Sequence, residues 1–118
     1  MVRYLGVRYR VKIAYRGKET EADAYLTKKV WFNAISKRLF AETFGESWSK
    51  LVKPHTFIVK GVEVYVKEYV VLNVVLGKKQ FDAEFFVSDE LMRVAEKETD
   101  LIIGKKSLDE NKILIFED

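Results

Sequence analysis

Side chains able to do nucleophilic or acid–base chemistry are scarce in this chain. None of its 118 residues is cysteine and one is histidine. Thiolate nucleophiles, disulfides and cysteine-type zinc sites are thereby excluded, and no His-rich metal site can form. His55 lies in Lys53-Pro54-His55-Thr56, which reads as a loop. A general base there needs positioned partners that the local sequence does not supply. What remains is carboxylates and amines. Asp23 sits four residues ahead of Thr27-Lys28-Lys29, where a strand runs out into a loop. The cations Lys28, Lys29, Lys37, Arg38, Lys50 and Lys53 gather in one region, with Trp31 and Trp48 close by. Basic and aromatic groups together suit contact with a nucleic-acid backbone and stacked bases. A net charge of only +3 favours the plainer reading of solvated lysines and a core Trp31. No cofactor or metal motif is present; Gly17 and Gly77 read as turn glycines, not parts of a phosphate loop.

The elements that must position these groups are mostly strands. Val7, Tyr9, Val11, Ile13 and Tyr15 alternate with Arg8, Arg10, Lys12 and Ala14, the period of a half-buried strand. With Arg16-Gly17 as a two-residue turn, Ile13 faces Thr20, Val11 faces Ala22, Tyr9 faces Ala24 and Val7 faces Leu26. On the other face Lys12 meets Glu21 and Arg10 meets Asp23, so opposite charges pair across the strands. That register makes Asp23 an outward, neutralised residue and a poor catalytic acid.

A second hairpin turns at Gly77-Lys78 and sets Val74 against Phe81, Leu72 against Ala83 and Val70 against Phe85, with Asn73 and Asp82 together behind. Phe57–Val59 and Val62–Val66 supply further strand, with Gly61 marking a bend or bulge, and Ile113–Phe116 a last strand. Two short helices are expected. One is capped by Ser36 and stopped by Gly45; the other opens at Ser88 with Asp89 and Glu90 in its first turn and Lys97 near its end. A longer helix starting at Thr27 is the alternative for the first.

A chain of this size is expected to form one domain, residues 1–118, that is mainly β: a small closed β-barrel with one or two short helices. No apolar run approaches the roughly 18 residues of a membrane span, and no signal-peptide pattern opens the chain. A cytoplasmic location without a membrane partner is the corresponding expectation. Abundant Lys and Glu with a single Gln resemble the composition of proteins from hot environments.

The order of elements resembles the retroviral-type aspartic proteases, the retropepsin-like family, over about residues 7 to 116. Thr99-Asp-Leu-Ile-Ile-Gly-Lys-Lys-Ser-Leu108 is similar to the family segment in which two aliphatic residues and a glycine lead into a short helix. Ile102, Ile103 and Gly104 would be those residues, the glycine letting this loop pack beside the catalytic one. Ala24 to Ser36 aligns with the strand, the catalytic loop and the Ile-Ser that follows it. The resemblance further implies a flap within residues 62 to 70, including Tyr65, Lys67, Glu68 and Tyr69.

It also implies a homodimer joined through terminal strands, Val2–Leu5 and Ile113–Phe116, and a cleft that takes an extended peptide by strand-like pairing. The same terminal strands could instead close a monomeric barrel.

One departure decides the chemistry. The family's Asp-Thr-Gly or Asp-Ser-Gly is absent, and Thr27-Lys28-Lys29 stands in its place. The mechanism needs two carboxylates sharing a proton. A threonine hydroxyl cannot serve as that base near neutral pH, and two lysines reverse the charge of the site. The expectation is a non-catalytic domain that binds a peptide or protein partner, with nucleic-acid binding as the alternative and an active aspartic peptidase as the least favoured reading.

Overall fold

The computed structural model of the chain describes residues 7–95 and 98–115. The described residues form seven strands and three helices: β1 (Val7–Tyr15), β2 (Lys18–Leu26), β3 (Ala34–Ile35), α1 (Lys37–Phe44), β4 (Ser49–Val59), β5 (Val62–Leu76), β6 (Lys79–Val87), α2 (Asp89–Ala95), β7 (Leu101–Ile103) and α3 (Lys105–Glu110). Their order across the sheet is β1-β2-β7-β3-β6-β5-β4, and β1 also pairs with β5. That last pairing closes six strands into a barrel and leaves β4 outside the ring, held by β5 alone.

The first hairpin has the register that its alternation predicts, from Val7↔Leu26 to Tyr15↔Lys18. Arg16 and Gly17 both take positive φ (49° and 81°), as a turn matched to the twist of the strands requires. Val11, Ile13, Ala22, Ala24 and Leu26 fill the barrel, while Arg10 pairs with Asp23 at 3.2 Å on the outside. Lys12 reaches Glu19 at 3.8 Å, two residues along the strand from the Glu21 directly opposite it. The second hairpin likewise sets Val70↔Phe85, Leu72↔Ala83 and Val74↔Phe81, with Asn73 Nδ2 donating to Asp82 at 3.0 Å behind them.

Ser36 caps α1 by accepting from the Leu39 N–H at 3.1 Å, and Gly45 ends it at φ 80°. The long alternative helix from Thr27 does not form, because residues 34 and 35 join the sheet between β7 and β6. Ser88 caps α2 through the Leu91 N–H at 3.1 Å. Lys97, expected near its end, lies outside the described residues, as do Val2–Leu5 and Phe116.

Four expectations need correction. Lys53-Pro54-His55-Thr56 belongs to strand β4, whose register against β5 shifts between Lys50 and His55. Proline has no N–H for a ladder, and an edge strand with a register break is where the sheet tolerates one. Lys60-Gly61 is a two-residue turn with both φ positive (51° and 78°), not a bulge. The described residues hold three helices, the extra one being α3 after Gly104. Ile113–Ile115 pair with no strand among the described residues, although Ile113 is buried and Leu114 is exposed as an in–out strand would have them.

Candidate functional site

Two loops meet where the barrel opens. The chain leaves β2 at Leu26, and β7 runs parallel beside it with Tyr25↔Ile102 and Leu26↔Ile103 in register. The Thr27 N–H donates to Ile103 O at 3.1 Å, Lys105 N–H to Val30 O at 2.8 Å and Lys106 N–H to Trp31 O at 3.1 Å. The loop of residues 27 to 32 is thus laced to the segment of Ile102, Ile103 and Gly104 and to the start of α3.

Gly104 makes that approach possible. A Cβ on it would lie 2.1 Å from Phe32 O and 2.7 Å from Val30 O, so no side chain fits. Its φ of −98° is open to any residue, and the constraint is therefore proximity alone.

Asn33 locks the same junction. Its Oδ1 accepts from Gly104 N–H at 2.9 Å, and its Nδ2 donates to Ser107 Oγ at 2.7 Å and Glu84 O at 3.1 Å. The side chain is buried and satisfied through both amide N–H groups and the carbonyl. Sequence reasoning passed over this residue. The signal was there, since a lone amide within Val30-Trp-Phe-Asn-Ala-Ile has to be either exposed or fully bonded.

Thr27 itself is buried at 4% exposure. Its Oγ1 accepts the Lys29 N–H at 3.1 Å, a side-chain-to-backbone turn. None of residues 27 to 29 has positive φ, so this path needs no glycine. Lys28 pairs with Asp109 at 3.1 Å, and Asp109 also holds Lys105 at 2.7 Å. The hydrogen bonds from Lys105 and then Lys28 hold the Asp109 carboxyl below its ordinary pKa. Lys29 is exposed at the mouth of a cavity of about 360 Å³.

That cavity runs between the 27 to 32 loop and the end of the β4–β5 hairpin. Tyr25, Thr27, Lys29, Val30, Trp31, Phe32 and Ile102 line one side, and Thr56 to Lys60, with Ala95, line the other. The hairpin acts as a lid. Phe57, Val59, Val64 and Val66 on its inner face are buried against Phe32, Phe86, Leu91, Met92 and Ile102, a core separate from that of the barrel. Lys60 Nζ donates to Ala95 O at 3.2 Å and ties down the tip.

Trp31, expected in the core, is 48% exposed and lies at the lid's edge, stacked on Phe57 at 5.6 Å. His55 joins the same aromatic group, 4.5 Å from Phe57 and 5.7 Å from Phe86 between ring centroids.

The flap residues taken from the sequence lie elsewhere. Tyr65, Lys67 and Glu68 line a separate shallow groove with Lys37, Ser88 and Asp89, and Tyr69 is half-buried at the foot of the lid. Tyr65 projects outward beside Glu63, whose hydrogen bond raises the phenol pKa. Tyr65 belongs to the second strand of the same lid but faces away from the cavity, and the lid residues that line it are Thr56 to Lys60.

The grouped cations are not brought together as one open patch. Lys37 pairs with Glu68 at 3.1 Å and lies 5.7 Å from the Trp48 ring. Arg38 reaches Asp100 at 2.8 Å, an aspartate that also accepts from Ser36 Oγ. Lys50 and Lys53 are exposed along β4. Asp23 faces solvent outside the cavity, on the charged side of the first hairpin. No group of three or more metal-ligating side chains occurs among the described residues, and no helix is long and apolar enough to cross a membrane.

No family model matches the chain, and no curated protein matches it. Among solved structures it is similar to the retroviral protease-like domain of Ddi1 from Leishmania major, with a TM-score of 0.60 and 15% identity over 92% of this chain and 81% of that one. At that identity the likeness speaks to architecture, and with the closed barrel and the laced loops it makes this a retropepsin-like fold.

Proposed function

We propose that this chain is a non-catalytic retropepsin-like domain that works as a homodimer and holds an extended peptide or protein segment in the cleft beneath the β4–β5 lid. The observation that carries the reading is Thr27. It stands where the resemblance places the catalytic acid, and its oxygen is engaged in a turn with Lys29. No carboxylate is among the described residues lining the cavity, so none of them can activate a water as the two-carboxylate mechanism requires.

The cavity nevertheless remains, with an aromatic wall and backbone on both sides, and an extended segment can be gripped there by main-chain hydrogen bonds without any chemistry. Dimerisation is supported by Ile113–Ile115, which alternate between buried and exposed yet have no strand partner among the described residues. A strand whose ladder lies on a second chain has this form in a single copy.

The test has three arms. Sedimentation should give twice the 13.8 kDa chain mass. A random peptide library displayed on phage should yield binders whose addition shifts the amide resonances of Thr27 to Phe32 and Phe57 to Lys60. Incubation with denatured casein from acid to neutral pH should give no cleavage. Cleavage, or binders that leave those resonances unmoved, would sink the reading.

A further inference from the structure

The charge of the cavity narrows what it can hold. Two lysines face it from opposite walls, Lys29 on the loop after β2 and Lys60 at the tip of the lid, and none of the described lining residues is acidic. Neither lysine has a carboxylate in ion-pair range among the described residues. Lys28 on the same loop, by comparison, pairs with Asp109, as Lys37 does with Glu68 and Arg38 with Asp100.

Lys60 Nζ spends one hydrogen bond on Ala95 O at 3.2 Å, and an ammonium has three to donate. The same cavity is lined by Trp31, Phe57 and Tyr25 and by the hydroxyl-bearing Thr27 and Thr56. Low-dielectric walls strengthen the attraction of an anion to such a site.

We infer that the cleft selects acidic peptide segments, an Asp or Glu side chain seated between Lys29 and Lys60 with an apolar or aromatic neighbour against Trp31 and Phe57. This rests on the peptide-binding reading above and names the chemistry of its ligand. A carboxylate reaching both lysines also bridges loop and lid, so binding should hold the lid shut.

The test is the composition of the peptides recovered from the displayed random library, with the full chain as bait. Enrichment of Asp or Glu beside apolar residues is expected. Binding of a recovered peptide, synthesised with its ends acetylated and amidated, should fall at least tenfold on changing its acidic residue to Gln or Asn. It should fall as far in the protein variant Lys29→Glu/Lys60→Glu, whose own library should return Lys and Arg instead. Circular dichroism and thermal melting of that variant establish that it is folded; Lys29→Gln/Lys60→Gln serves if it is not, with the same loss expected.

Binders without acidic enrichment would overturn the inference and leave the peptide-binding reading intact. A library that yields no binder would end both. Peptides needing a free C-terminal carboxylate would overturn the side-chain assignment. So would a poly-dT oligonucleotide that displaces the peptide at equal or lower concentration, since the cations would then serve a phosphate backbone.

Discussion

Two hairpins in this molecule use the same turn to different ends. β1–β2 turns at Arg16-Gly17 (φ 49° and 81°) and β4–β5 at Lys60-Gly61 (φ 51° and 78°). The first is paired along its whole length and continues into β5 on one side and β7 on the other. The second loses register between Lys50 and His55, and its outer strand has no further neighbour in the sheet among the described residues. Val52, at the break, is fully exposed. Yet Phe57, Val59, Val64 and Val66 near its tip are as buried as the residues of the barrel wall. A wall is held by ladders on both sides. The lid is held by one ladder, by what its inner face touches and by Lys60.

The largest effect should come at the junction on which both hairpins depend. Gly104→Ala drives a methyl into Phe32 O and should cost more than about 4 kcal/mol or abolish folding, read by chemical denaturation. Next come matched truncations in the two regions. Ile13→Ala in the wall and Phe57→Ala in the lid should each cost about 3 kcal/mol. They should differ in hydrogen exchange. The wall variant should speed exchange throughout, and the lid variant chiefly in β4 and the first half of β5. Equal patterns would erase the distinction between wall and lid.

Asn33→Ala leaves Gly104 N–H and Ser107 Oγ without a buried partner and should cost about 2 kcal/mol. The smallest effect is electrostatic. Asp109 has a depressed pKa in the folded chain, so its pairing with Lys105 and Lys28 contributes stability above the ordinary carboxylate range. That contribution is lost as pH falls through the lower folded value. In Asp109→Asn the acid side of the stability profile should be slightly shallower and the neutral side slightly lower; an unchanged profile would remove these bridges from the account.

The barrel was readable from the chain because Val7–Tyr15 and Val70–Phe85 alternate cleanly and their turns are marked by glycine, so burial and register carry the same information. The loop pairing at Gly104 was readable only through resemblance, since a close approach leaves no periodic trace. Of the lid, only its β5 half was read. Ser49–Val59 carries Pro54 and an irregular pattern, as an edge strand with a register break can, and periodicity is silent there. Arg16-Gly17 and Lys60-Gly61 are the same turn in the sequence, and treating them alike would have placed the lid tip. Asn33 and the open face of Trp31 depend on contacts 50 or more residues away in the first case and on the lid's packing in the second, which local pattern does not encode.

The most direct measurement of the central claim is the amide resonance map of the chain with and without a library-selected peptide. Shifts should be confined to Thr27–Phe32, Phe57–Lys60 and Ile102, with the peptide recovered uncut after prolonged incubation. Shifts confined to the groove of Lys37, Tyr65 and Glu68, or a peptide cleaved in the presence of the chain, would contradict it.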